Sequence, residues 1–389
     1  MSGSHPALRA DVHALPPSLI RRLANEVAGS DVSDLIQLWY GEPDRPTPEV
    51  VRRACQDALQ RGETFYTPNA GIPALRQALA DYMNALYGLD LGMERILVTG
   101  SATLALSIAA QAILSPGDVL VTHAPTWPNL SGIQQLRGAR VERVPLTLRA
   151  GRWQLNLERL FAACGPRTRA LLLNSPANPT GLMLTDAEQQ AILDFCRRRG
   201  YWLVADEVYN RIVYDRPYAP TFADKIHPHD QVLIVNSFSK NWAMTGWRLG
   251  WLTIPAGLLD RFEMLTEFTN SCTAPATQLA GITALQQGEP FLRESLARWQ
   301  RSRALLLEAF ASLPRVNCPR PDAAFYAWFA CENVTDSYAF AADVLHEVRV
   351  GLAPGAAFGP EGEGWLRLCH AVAPQTMTRA LERLCPLLA

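Results

Sequence analysis

Val232-Leu233-Ile234-Val235-Asn236-Ser237-Phe238-Ser239-Lys240 opens the stretch that decides the fold, which continues Asn241-Trp242-Ala243-Met244-Thr245-Gly246-Trp247-Arg248-Leu249-Gly250. Apolar residues on both alternating positions of 232–236 read as a short strand covered on both faces. A hydroxyl-rich turn follows, and Lys240 sits in it. A lysine between two serines and an arginine, among glycine and tryptophan, is an odd choice for a solvated surface charge. Its amine is also the side-chain group that forms a Schiff base with an aldehyde cofactor.

Working outward, the same kind of apolar run recurs at 96–99, 119–122, 141–145, 170–173, 202–205 and 249–254, separated by amphipathic stretches. Strands alternating with helices predict an α/β fold with a mostly parallel, doubly wound sheet. One intervening helix carries the capping box Thr185-Asp186-Ala187-Glu188 and runs to about Arg199. Others start at Glu49 and at Pro73, where proline suits the first turn. Past Gly288 the pattern changes. A long helix over about 290–313, strand pieces at 324–329 and 365–370, a helix around 338–348 and a last helix from Gln375 predict a smaller α+β domain. The first 48 residues are proline-rich and read as irregular. The expected division is a large domain over 49–288 and a discontinuous small domain from 1–48 and 289–389.

Composition narrows the functional classes. The 389 residues carry 36 Lys+Arg against 37 Asp+Glu, a net charge of −1, which speaks against nucleic acid or an anionic membrane surface as the main partner. The apolar stretch 102–114 is interrupted by Thr103, Ser107 and Gln111 and is shorter than the ~20 residues of a membrane span. Met1-Ser2-Gly3-Ser4-His5-Pro6 lacks the basic start and apolar run of a secretory signal. The 8 cysteines are scattered without a C-x-x-C pair, so reduced thiols in a cytoplasmic protein are expected. No His or Cys spacing supports a metal site. Neither G-x-G-x-x-G nor G-x-x-x-x-G-K-[ST] is present, so the phosphate fingerprints of nicotinamide enzymes and P-loop nucleotide enzymes are missing.

Two further signals lie just past predicted strands, where open α/β sheets place their ligands: Asn174-Ser175-Pro176-Ala177-Asn178-Pro179-Thr180-Gly181 and Ala205-Asp206-Glu207-Val208-Tyr209. With Lys240 and Arg248 they keep a fixed order: Asn178, 28 positions to Asp206, 34 to Lys240, 8 to Arg248. This arrangement, from about Leu38 to Arg367, resembles fold-type I pyridoxal-phosphate enzymes of the class I/II aminotransferase group, which includes aspartate aminotransferase.

The resemblance implies a role for each matching residue. Lys240 resembles the lysine that binds the cofactor aldehyde and moves the proton between substrate and cofactor. Asp206 resembles the carboxylate that keeps the pyridine ring protonated, so the ring can accept carbanion electrons. Asn178 and Tyr209 resemble the pair on the phenolic oxygen, and Trp127 the aromatic that stacks on the ring. For the phosphate it implies Ser101, Ala102 and Thr103 at a helix N-terminus, with Ser237, Ser239 and Arg248. The family often has glycine where this chain has Ala102. Tyr66 resembles a tyrosine supplied to the phosphate by the neighbouring subunit, which implies a homodimer. Gly41, Asn178 and Arg367 resemble the groups on the substrate α-carboxylate.

The expected activity is amino-group transfer between an L-amino acid and a 2-oxo acid with ping-pong kinetics. The same parts also serve β-elimination at a C–S bond and other chemistry at the α-carbon. A non-catalytic cofactor-binding effector module is a third reading, disfavoured by near-neutral charge. For substrate choice, 262–292 contains no arginine, which weakens a dicarboxylate reading. Glu267 is a candidate partner for a basic side chain, with a solvent-facing helix position the plainer reading, and Trp39 and Tyr40 are candidates for an apolar pocket.

Overall fold

The computed structural model describes residues 8–29 and 31–389. The N-terminal hexapeptide read above for a missing secretory signal lies outside the described residues. Each of the seven apolar runs forms a strand: β1 (Ile96–Thr99), β2 (Val119–Ala124), β3 (Arg140–Pro145), β4 (Thr168–Asn174), β5 (Trp202–Asp206), β6 (Val232–Ser237) and β7 (Gly250–Thr253). They make one seven-stranded sheet in the order β1-β7-β6-β5-β4-β2-β3. β7 runs antiparallel to both neighbours, and the remaining pairs are parallel. Every residue of β1, β2, β6 and β7 is buried, as apolar residues on both faces require. The two edge strands differ: β1 is fully buried, whereas β3 is mostly half-exposed.

The helix Asp186–Arg199 starts with the expected capping box: the Thr185 hydroxyl accepts the Glu188 N–H while the Glu188 carboxylate accepts the Thr185 N–H. Parallel register brings Asn174 level with Asp206, and Asp206 level with Val235. The carboxyl ends of β4, β5 and β6 therefore form one ledge. The chemistry-bearing loops leave from it.

The C-terminal part holds an antiparallel sheet of β8 (Val316–Asn317), β9 (Tyr326–Cys331), β10 (Ala353–Pro354) and β11 (Trp365–Cys369), in the order β8-β9-β11-β10. Helices Glu289–Ala311 and Pro374–Leu388 share its core through Leu306, Phe310, Met377 and Leu384. The N-terminal segment differs from the irregular reading. It forms helices Ala10–Ala14 and Leu19–Asn25 and the short strand Ile36–Gln37, which pairs with Val350–Gly351. Leu23, Val27, Ile36 and Leu38 pack into that same core, each burial contributing roughly 1.5–3 kcal/mol. These helices are too short to show a clear 3.6-residue period in sequence, and Leu19–Asn25 is held by packing through Leu23. Conversely Trp299, Phe325 and Tyr326 pack against the core of the large sheet.

Candidate active site

A cavity of about 780 Å³ opens over the strand-end ledge, and its wall includes Asn178, Asp206, Tyr209, Lys240, Arg248 and Arg367. Gly41, Ala102, Thr103, Trp127, Ser237 and Ser239 also line it. Residues up to about 326 positions apart in sequence (Gly41 and Arg367) thus meet in one place.

Lys240 donates from Nζ to the Gly41 carbonyl, and its amine lies 5.8 Å from the Tyr209 ring centroid. Burial lowers its pKa to about 8; Cys369 and Glu42 pull it partly back, while Arg367 and Arg248 push it down. Asp206 closes β5 with its carboxylate in the cavity wall, 2% exposed. Burial raises its pKa to about 7, against the Val208 N–H at 3.3 Å and the Lys240 charge. Among the described residues Asp206 forms no ion pair.

Asn174, one strand over, ties the loops together. Its Nδ2 donates to the Asp206 carbonyl at 3.0 Å and its Oδ1 accepts the Asn178 N–H at 2.8 Å. Asn178 in turn accepts from Arg367 Nη1 at 2.8 Å. Arg367, on β11, is 3% exposed; Nη2 donates to the Trp39 carbonyl and Nε has no partner. Its guanidinium stacks 4.4 Å from the Tyr326 ring and 4.9 Å from that of Phe358. No carboxylate pairs with it among the described residues.

The Tyr209 hydroxyl lies 2.7 Å from that of Tyr326, and burial raises both phenols above their ordinary range. Tyr326 also explains Gly41: a Cβ there would stand 2.0 Å from the Tyr326 hydroxyl. The sequence reading missed Tyr326, Asn174 and Phe358. The continuous apolar run at 324–329 marks a strand, but a phenol on a core strand has no local mark of chemistry.

At the other end, the helix Ala102–Ile113 points its N-terminus at the cavity through Ala102 and Thr103. Ser101 is not in the wall: its Oγ accepts the Leu104 N–H at 3.0 Å, so its side chain caps the helix. Ser237 Oγ accepts the Ser239 N–H at 3.1 Å, which holds the turn before Lys240. Arg248 adopts φ +55°, is exposed, and has no ion pair among the described residues. Tyr66 does not reach this cavity; it is 91% exposed, beside Phe65 at 83%. Glu267 occupies an exposed position on the helix Leu259–Asn270 and is not in the wall, whereas Trp39 and Tyr40 are.

Such a fold, with a lysine and an aspartate at adjacent strand ends, defines a class of cofactor-dependent enzymes, and comparison with known proteins makes it specific. Residues 33–384 match the family Aminotransferase class I and II. Over 364 residues the chain is 33% identical to an aspartate aminotransferase of Rhizobium meliloti, covering 90% of this chain and 88% of that one. It is 30% identical over 384 residues to aromatic-amino-acid aminotransferase 2 of Thermococcus litoralis, covering 97% of each. A single mutant of the Thermus thermophilus aspartate aminotransferase superposes with a TM-score of 0.90 at 31% identity, covering 99% of this chain and 100% of that one.

The chain belongs to the aminotransferase class I and II family and has the fold-type I architecture. It is a pyridoxal-phosphate-dependent aminotransferase, with amino acids and oxo acids as substrates. No helix of the described residues is long and apolar enough to cross a membrane.

Proposed function

We propose that the enzyme moves the amino group of an L-amino acid to a 2-oxo acid in two half-reactions, with Lys240 as the covalent anchor of the cofactor and the base that moves the proton. The observation that carries this reading is the state of three charged groups facing one cavity. Among the described residues Asp206 and Arg367 form no ion pair, and the Lys240 amine is depressed to about 8. Unpaired buried charges are costly, so each fits a charged group that a ligand brings.

Pyridoxal phosphate, when bound, supplies an aldehyde that exchanges amines and a ring that accepts the electrons released at the substrate α-carbon. Asp206 holds the ring N–H as a cation. Asn178 and Tyr209 hold the phenolic oxygen, and Trp127 covers the ring face. The N–H groups at Ala102 and Thr103, with Ser237, Ser239 and Arg248, hold the phosphate, while Ser101 shapes the helix start beneath it. Arg367 and Asn178 orient the substrate carboxylate, beside the Gly41 backbone. The Lys240 amine, whose pKa burial lowers to about 8, would be the base that holds the α-proton.

Borohydride treatment of the holoenzyme followed by peptide mapping tests this. The expected result is a phosphopyridoxyl mass on the Lys240 peptide and no yellow colour in Lys240→Ala. A label on another residue refutes the assignment.

The site is completed in a homodimer, with Tyr66 serving the partner's phosphate. The exposure of Phe65, Tyr66 and Phe268, at 83%, 91% and 81%, supports an apolar face covered by a second copy. Mixing Lys240→Ala with Tyr66→Phe subunits should restore activity above that of either variant alone. Unchanged activity on mixing argues against the shared site. The division into a large domain over 49–288 and a discontinuous small domain from 1–48 and 289–389 is retained, supported by the Ile36–Val350 pairing. The eight free thiols support a cytoplasmic setting.

A further inference from the structure

The cavity extends beyond the groups assigned above, between the helix Pro128–Gln135, the edge strand β3 and the loop around Phe358. Its apolar outer wall includes Trp39, Ile133, Val141 and Phe358. One cation, Arg143 on β3, also stands in that wall. It is close to the substrate end, because Phe358 joins the two arginines. The Phe358 carbonyl accepts from Arg143 Nη2 at 2.9 Å while the Phe358 ring lies 4.9 Å from the Arg367 guanidinium.

Four of the five N–H donors of Arg143 are engaged, and its charge is paired with Glu361. Nη2 donates to Glu361 at 2.8 Å, Nε reaches both Glu361 oxygens at 3.1 Å, and Nη1 donates to Ser131 Oγ at 3.2 Å. Such a forked pair is geometrically specific and leaves little free charge. The loop is built around it: Gly359 sits at φ +109°, and a Cβ there would stand 2.1 Å from Arg143 Nη2. Arg21, also in the wall, is exposed at the mouth, where water and salt screen it.

We propose that Glu361 neutralises Arg143 so that the outer wall accepts amino acids with bulky apolar side chains and rejects dicarboxylates. Arg143 and Glu361 are then specificity-determining residues. This rests on the assignment of Arg367 to the α-carboxylate, since that contact directs the side chain toward the outer wall. A second carboxylate placed there meets apolar surface and an arginine whose charge Glu361 already pairs. An apolar side chain meets matching surface.

The test is a half-reaction panel on the holoenzyme, following the change of cofactor absorbance with L-phenylalanine, L-leucine, L-aspartate and L-glutamate. The wild type should prefer phenylalanine or leucine at least tenfold in kcat/KM. A smaller ratio, or preference for aspartate or glutamate, overturns the proposal without any variant. Glu361→Gln keeps the shape and unmasks the cation, so the aspartate-to-phenylalanine ratio should rise at least fivefold, chiefly through KM. Adding Arg143→Met to it should abolish that gain. A smaller rise, or a gain that survives Arg143→Met, overturns the pair as the device. Absence of conversion with every amino acid instead removes the assignment of the site itself, and this inference with it.

Discussion

At the inner end of the cavity, charged groups stand without ion-pair partners among the described residues; on the outer wall, three strands along the sheet at its edge, the charge of Arg143 is paired. Asp206 and Arg367 belong to the first region, Arg143 and Glu361 to the second. The same contrast appears between neighbours on one strand end. Glu207 follows Asp206 and is equally buried, and burial raises both to about 7. Yet Glu207 accepts from the Thr221 hydroxyl at 2.6 Å and the Phe222 N–H at 2.8 Å, while Asp206 has one N–H at 3.3 Å. The difference teaches how to read buried charge here. A satisfied carboxylate holds the chain together, and an unsatisfied one waits for a ligand.

Asp206→Asn puts the largest strain on this contrast. Losing the charge that holds the ring N–H should lower kcat by roughly 10²–10⁴-fold, the range of a positioned proton-handling group. Without the cofactor, the same substitution should make the protein more stable. The folded pKa of Asp206 is about 7 against an ordinary value of 3.8. Its contribution is therefore fully present below about pH 4 and is lost as the pH rises to about 7. Thermal melts of the cofactor-free protein across that window should slope downward for the wild type and less so for the variant. Equal slopes would mean that Asp206 is paired in solution.

Arg367→Lys comes next. Hydrogen bonds to a charged group contribute about 1.5–3 kcal/mol, so losing the fork should reduce kcat/KM for amino acids roughly 10–150-fold, mainly through KM. Steady-state kinetics that leave KM unchanged would separate Arg367 from the carboxylate. Glu207→Ala should act least on the chemistry. It strands the Phe222 N–H and Thr221 hydroxyl, at a cost of about 1–3 kcal/mol in stability measured by denaturant melts. Its cofactor spectrum should stay normal. A spectrum altered as much as in Asp206→Asn would erase the distinction between the two carboxylates.

Much of this was legible from local pattern. Strand runs, the Thr185–Glu188 capping box and Pro73 at a helix start depend on interactions within a few residues. The order Asn178, Asp206, Lys240, Arg248 was readable because parallel strands deliver successive loops to the same edge. Ser101 shows the limit of such reading. A serine at a helix start suits a phosphate and a cap alike: the Ser101 Oγ that accepts the Leu104 N–H still carries an O–H to donate. Tyr326 and the N-terminal helices show another, since their meaning lies in what they touch.

The sequence by itself determined the α/β class, the strand-end position of Lys240 and Asp206, and the cofactor chemistry they suit, because short-range periodicity and loop placement govern all three. Tertiary structure alone decided that Arg143 is masked by Glu361, 218 residues away, that Tyr326 braces Tyr209, and that Arg367 lies buried without a counter-charge. Pairing and desolvation depend on which distant groups meet in space, and no local pattern encodes that meeting.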